Sequence, residues 1–282
     1  MLIFDNKESL TNFLRPLQSQ NKTTGFVPTM GALHDGHLSL IKNSLDKNHI
    51  TVVSIFVNPT QFNNVEDLEK YPRTLEADVK KIKQISAQVL VYAPTVSDIY
   101  QENTSSSSFS FDGLENQMEG KHRPGHFDGV GTIVKKLFEI VNPTNAYFGE
   151  KDFQQLQIVK KLVEKEKMNV EIIGCPIFRE ANGLAMSSRN ERLSKSARNQ
   201  SSFIYKTLQA VQADFEKKSL TELNEFVKNA FSEHPEFSLE YFEIAEESTL
   251  LPALEKDKTK KYRAFIAIFI ENIRLIDNIS LN

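Results

Sequence analysis

Too little cysteine, too little charge of either sign in excess and no long apolar run keep this chain out of several large classes of protein. Its one cysteine, Cys175, cannot close an intrachain disulfide and sits in the apolar stretch 170–178, where a buried thiol behaves as a small hydrophobe. No catalytic role is expected of it. The 34 Lys and Arg residues stand against 37 Asp and Glu, a net charge of -3, so the overall basic field that marks a nucleic-acid binder is missing. No run is long enough to span a bilayer. Residues 1–14 mix Asp5, Lys7 and Glu8 with apolar side chains, unlike a secretory or transit segment. The expectation is a chain that binds neither nucleic acid nor membrane and works in the cytoplasm.

What is present describes a packed protein: 40% hydrophobic and 25% charged residues are ordinary globular values. At 282 residues the chain exceeds the usual domain size, which suggests one large domain with a smaller companion. Residues 23–27 form a short β-rich run ended by Pro28, residues 36–47 carry a helical stripe through Leu38, Leu40, Ile41 and Leu45, and residues 51–57 form a second apolar run ended by Asn58-Pro59. The pattern continues with helices at 75–85, 130–141 and 153–166 and strands at 88–92, 146–148 and 170–173. Such alternation predicts a Rossmann-like, doubly wound α/β domain with a parallel sheet, whose ligands bind at the carboxyl ends of the strands. Beyond Arg192 the order becomes helices at 195–217 and 221–232, then strands at 239–244, 264–270 and 274–277, which predicts a smaller C-terminal α+β domain. The break is expected between residues 178 and 193, and the Ser-rich stretch 103–110 reads as a mobile surface loop.

Four clusters of polar residues stand out, the first three at the ends of these strands and the fourth in a loop. The first, from Pro28 to His37, holds Met30, Gly31, Ala32, Leu33, His34, Asp35 and Gly36. Its glycines allow close backbone approach, and a new helix there offers unpaired amides to phosphate. A Gly-containing turn with two surface histidines fits the same residues. Zinc does not, because His34 and His37 supply only two ligands and no third is spaced nearby. The second cluster runs from Phe56 through Asn58 and Gln61 to Phe62, with Tyr71-Pro72-Arg73-Thr74 shortly after. The third holds Gly149, Glu150, Lys151, Asp152, Gln154 and Gln155, with Lys151 a point charge for phosphate and Asp152 a candidate helix cap. The fourth, Met186-Ser187-Ser188-Arg189, could close over a triphosphate, and equally could be a serine-capped helix start.

Taken whole, Pro-Thr-Met-Gly-Ala-Leu-His-Asp-Gly-His resembles the nucleotide-binding signature of the pantothenate synthetases, members of the nucleotidylyltransferase superfamily. The Asn-Pro-x-Gln-Phe, Phe-Gly-Glu-Lys-Asp-x-Gln-Gln and Met-Ser-Ser-Arg runs are similar to the same family's segments, and the likeness runs in order from about Gly25 to Leu193. Departures are minor, Asp35 where glutamate is common and Phe153 where tyrosine is common. The resemblance implies that ATP contacts residues 30–37, Gly149 to Asp152, Met186 to Arg189, and Phe178 near the adenine. It puts Gln61 on both pantoate and β-alanine and Gln155 on pantoate, with His34, His37 and Lys151 as the catalytic groups. Arg123 and His126 belong to an Arg-Pro-x-His-Phe segment near the active site. The implied reaction is ATP-dependent joining of pantoate to β-alanine through a pantoyl adenylate. Mg²⁺ is expected on the phosphates with no assigned protein ligands, and a homodimer is expected by the same resemblance. Residues 1–178 would bind ATP and pantoate, and residues 179–282 would form a lid carrying the Met-Ser-Ser-Arg loop.

Three rival readings bear on the same motifs. A nucleotidylyltransferase with a phosphorylated acceptor would share the fold but would not need Gln61 and Gln155. A nucleotide-sensing protein would bind ATP without releasing pyrophosphate. An aminoacyl-tRNA synthetase shares the histidine signature, and the near-neutral charge stands against it.

Overall fold

The computed structural model describes residues 1–62 and 65–282. They divide into two units, one of Met1–Glu150 with Gln154–Pro176 and the other of Lys151–Phe153 with Ile177–Asn282. In the first unit the strands β1 (Leu2–Phe4), β2 (Thr24–Thr29), β3 (Ile50–Ile55), β4 (Leu90–Tyr92), β5 (Asn145–Gly149) and β6 (Glu171–Cys175) form one parallel sheet in the order β1-β4-β3-β2-β5-β6. Phe26, Val27, Val52 and Val53 are fully buried, as strands covered by helices on both faces require. The chain winds outward from β2 through β3 and β4, then returns to continue through β5 and β6 on the other side. The direction of winding reverses between β2 and β5, so the loops leaving those strands flank the switch-point crevice where doubly wound sheets bind ligands.

Two N-terminal elements were not anticipated, β1 and the helix Lys7–Gln18. Three residues are too few to show a strand period, and the helix start is marked only by Asn6, whose Oδ1 accepts from Ser9 N at 2.9 Å. The Ser-rich stretch, expected to be mobile, is tied to the helix His126–Val141: Ser107 N donates to Thr132 Oγ1 at 2.8 Å and Phe109 N to Asp128 Oδ1 at 2.9 Å. Cys175, at the end of β6, is buried, and that burial pushes its thiol up, so the neutral form persists.

The second unit packs helices against an antiparallel sheet of β7 (Ser238–Glu246), β8 (Tyr262–Ile270) and β9 (Ile273–Ser280), with β8 in the middle. Its core joins Ile204, Leu208 and Val211 of the helix Ser202–Asp214 to Leu223 and Val227 of the helix Leu220–Ser232 and to Ile266 and Ile268 of β8. The single helix expected over 195–217 is in fact two, Lys195–Gln200 and Ser202–Asp214. The buried Ser201 Oγ donates back to Ala197 O at 2.7 Å, a local bond of the kind that bends helices.

Candidate active site

The loop leaving β2 is held from below by one carboxylate. Gly31 and Ala32 have positive φ angles of 86° and 50°, a conformation that costs a non-glycine residue about 1–2 kcal/mol. Asp78, 1% exposed, holds it in place: its Oδ2 accepts from Ala32 N at 3.0 Å and its Oδ1 from Leu33 N at 2.7 Å. Thr74 Oγ1 donates to the same carboxylate at 3.1 Å, and Lys81 Nζ donates to Leu33 O at 2.5 Å. A Cβ at position 31 would stand 3.2 Å from Asp78 Oδ2, so glycine there serves both the turn and the close approach.

This clamp delivers the chain to the helix Asp35–Lys47, with His34 at its N-cap. His37 Nδ1 accepts from His34 N at 3.4 Å, and the two rings lie 4.1 Å apart at 32°. An accepting Nδ1 leaves the proton of a neutral imidazole on Nε2, the donor that a phosphate oxygen needs. Both histidines are half-buried beside the positive end of the helix dipole, with Met30 and Gly36 half-buried and Asp35 exposed.

Gln61 ends a short turn, Pro59–Gln61, after β3. Its amide is aimed: Asn58 Nδ2 donates to Gln61 Oε1 at 3.1 Å, and Gln61 Nε2 lies 3.1 Å from Met30 Sδ. Tyr100 OH fixes Asn58 in turn, donating to its Oδ1 at 2.6 Å, and burial pushes the phenol up so that it keeps this proton. His126 Nδ1 lies 2.8 Å from Gln61 O and its Nε2 3.1 Å from Arg123 Nη1. A Cβ at Gly129 would come within 2.3 Å of Thr60 O, so only glycine lets the helix His126–Val141 pack this closely on the turn.

After β5, a Cβ added at Gly149 would meet nothing within 4 Å, and the turn Glu150–Asp152 runs straight into the helix Phe153–Lys165. The adjacent glutamines diverge. Gln154, 4% exposed, spends its amide on Leu114 O and Gln117 O at 2.8 Å each and accepts from Glu119 N at 2.9 Å. Gln155 is half-buried.

In the second unit the residues after Ile177 form a tight hairpin, with Arg179 bridged to Ala185, Glu180 N bonded to Leu184 O at 2.8 Å and Gly183 at φ 95°. Met186 N donates to Phe178 O at 3.0 Å, which holds the Phe178 backbone on the loop, and the residue is 42% exposed, open to stacking. The serine-capped start is also real: Ser187 Oγ accepts from Arg189 N at 3.3 Å and opens the short helix Ser188–Arg192. Arg179 anchors the hairpin through a bidentate pair with the buried Asp277, at 2.7 and 3.0 Å, and lies 3.5 Å from the Tyr205 ring centre. Burial pushes the Asp277 carboxyl up, against the downward pull of Arg179. Lys151, Ser187 and Arg189 line one cleft of this unit.

The structure gathers part of the expected groups in two sets, and neither the bonds of the first nor the lining of the second includes Gly149, Glu150, Asp152, Gln155 or Phe178. In the first unit the 30–37 loop, Gln61, Arg123 and His126 form a connected network. In the second, Lys151 shares its cleft with the Met-Ser-Ser-Arg loop. Sequence reasoning missed the groups that hold these in place: Asp78, Tyr100, Gly129 and the Arg179–Asp277 pair. Among the described residues no cluster of three or more His, Cys, Asp or Glu side chains could cage a metal.

The pantoate-beta-alanine ligase family model matches residues 2–280. The pantothenate synthetase of Flavobacterium psychrophilum is 63% identical over 281 residues and that of Christiangramia forsetii 51% identical over 282, with 100% of each chain covered in both comparisons. Among solved structures, pantothenate synthetase from Thermus thermophilus superposes with a TM-score of 0.91 at 38% identity, covering 100% of this chain and 99% of that one. The Francisella tularensis pantoate-beta-alanine ligase, complexed with beta-gamma ATP and beta-alanine, gives a TM-score of 0.82 at 37% identity over 100% and 98% of the two chains. With likeness running the length of both units, the chain belongs to the pantoate–β-alanine ligase family.

Proposed function

We propose that the chain performs its family's ATP-dependent condensation of (R)-pantoate with β-alanine through the residues assembled above. A carboxylate does not acylate an amine directly at neutral pH, because oxide is too poor a leaving group. A pantoate carboxylate oxygen therefore attacks the α-phosphorus of ATP and pyrophosphate departs. The β-alanine nitrogen then attacks the acyl carbon, AMP leaves, and the ammonium proton is lost to solvent. His34, His37, Lys151, Ser187, Ser188 and Arg189 supply donors and positive charge to the phosphates, and Gly149, Glu150 and Asp152 bring the backbone alongside. Phe178 takes the adenine side, and Gln61 and Gln155 hold the acid. No covalent enzyme intermediate is required, so positioning and charge stabilisation carry the rate.

The observation that carries this reading is the contact of Gln61 Nε2 with Met30 Sδ, since an acid bound by that amide lies beside the nucleotide loop. Mg²⁺ would neutralise phosphate charge. Cytoplasmic location and an ATP- and pantoate-binding domain over 1–178 with a lid over 179–282 belong to the same reading, and a homodimer rests on the family resemblance. Among the described residues no helix is long and apolar enough to cross a membrane.

The acid site is tested by Gln61→Ala and Gln155→Ala. Loss of a hydrogen bond to a charged group is worth about 1.5–3 kcal/mol, so the KM for pantoate should rise roughly tenfold to a hundredfold while that for ATP stays within about twofold. An unchanged pantoate KM in both variants would move the acid site elsewhere.

A further inference from the structure

The cleft that holds Lys151, Ser187 and Arg189 has a further wall, the start of β9, where Arg274 lines it together with Leu275 and Ile276. Its charged lining residues, Lys151, Arg189 and Arg274, are all cations. Cations converging in one cleft repel one another more strongly as water is excluded, and a multiply charged anion relieves that repulsion. Arg274 is rigidly presented. It follows a two-residue hairpin turn, Glu271 and Asn272, both at positive φ, that pairs Ile270 with Ile273. Glu240 of β7 accepts from its Nε at 2.9 Å and Nη2 at 2.5 Å, an ion pair that reaches across the width of β8. Farther along the same strand, Asn278 Nδ2 donates to Lys151 O at 2.9 Å while Arg263 Nη1 holds Asn278 Oδ1 at 2.7 Å. Strand β9 thus contributes one cation to the cleft and fixes the backbone of another.

We propose that Arg274 is a further pyrophosphate-binding residue, which together with Lys151 and Arg189 holds the two phosphates that leave ATP in the adenylation step. The proposal rests on the assignment of Lys151, Ser187 and Arg189 to the phosphates. The planar guanidinium suits a diphosphate, whose oxygens can take parallel N–H donors, and charge grows on those oxygens as the bond to the α-phosphorus breaks. Glu240 balances the half-buried arginine during folding and takes no part in holding phosphate.

Pantoate-dependent exchange of labelled pyrophosphate into ATP, without β-alanine, reads this site directly. Arg274→Gln should raise the apparent KM for pyrophosphate tenfold or more and weaken product inhibition by pyrophosphate similarly, with the KM for pantoate unchanged. Arg274→Lys, which keeps the charge and loses the fork, should show a several-fold rise, and it supplies the measurement if the glutamine variant does not fold. Glu240→Gln removes the partner charge but keeps an oxygen that can accept from the guanidinium, so Arg274 stays in place and the pyrophosphate KM should remain within about twofold. If Glu240→Gln reproduces the loss seen in Arg274→Gln, the pair is structural and the proposal is wrong. It is equally overturned if Arg189→Gln raises the pyrophosphate KM and the Arg274 variants do not. If Arg189→Gln and Lys151→Ala also leave pyrophosphate and ATP use unchanged, the phosphate assignment itself fails, and the role of Arg274 with it.

Discussion

Replacing His37 with alanine is expected to leave a folded protein whose pantoate-dependent adenylation has dropped about 10²- to 10³-fold, the usual effect of removing one donor aimed at developing charge. The ring lies in the first turn of a 13-residue helix whose buried anchors are Leu40, Ile41 and Ser44, so the helix does not depend on it for packing. Its bond with His34 N, at 3.4 Å, is long, and the loss of that bond by itself should cost less than about 1 kcal/mol of stability. What the substitution removes is a donor at the positive end of the helix, where the neighbouring His34 ring lies only 4.1 Å away. Initial-rate exchange assays on a variant whose thermal unfolding matches the parent would check this. Wild-type exchange in a folded His37→Ala protein would remove the imidazole from the mechanism.

The second large effect is expected at a residue that touches no substrate in this account. Asp78→Asn keeps the shape of the side chain but offers one acceptor where Ala32 N and Leu33 N now use two. One amide would then face an NH₂ group, donor against donor, in a site only 1% exposed. A buried donor left without its partner costs about 1–3 kcal/mol. The positive-φ residues Gly31 and Ala32 would gain a reason to relax. We expect the KM for ATP to rise about tenfold to a hundredfold, by the conversion of about 1.4 kcal/mol per factor of ten, with the KM for pantoate much less affected. A merely structural role would lower thermal stability and the amount of active enzyme without this split. An ATP KM equal to that of the parent would show that the loop holds its shape without the carboxylate.

Much of the candidate site was legible because the residues proposed for it sit where local signals are strongest. Pro28, expected to end its strand, lies inside β2 next to its last residue Thr29, and Asn58-Pro59 falls shortly past the end of β3, so the residues that follow them still form the 30–37 loop and Gln61. The structure adds why these loops keep their form, and that information is tertiary. Asp78 lies 45 residues from Leu33 in sequence, beyond any periodic pattern. Gly129 reads as a weak point inside a helix until the 2.3 Å approach to Thr60 O gives it a purpose. The helix break at Ser201 falls where the apolar spacing looks continuous, and what marks it, a hydroxyl added to the carbonyl that the backbone N–H of Ser201 already uses, is not visible in a periodic pattern. Strand β1 escapes notice because Leu2, Ile3 and Phe4 make a strand only by pairing with Leu90, Val91 and Tyr92.

The central claim is that activation of the acid is complete before the amine arrives. With ATP, Mg²⁺ and pantoate alone, labelled pyrophosphate should exchange into ATP at a rate that depends on pantoate, because the groups proposed for the phosphates all serve this first step and none waits for β-alanine. Adding β-alanine should then yield one AMP for each pantothenate formed. Exchange that appeared only with β-alanine present, or ADP and phosphate in place of AMP and pyrophosphate, would contradict the acyl-adenylate account.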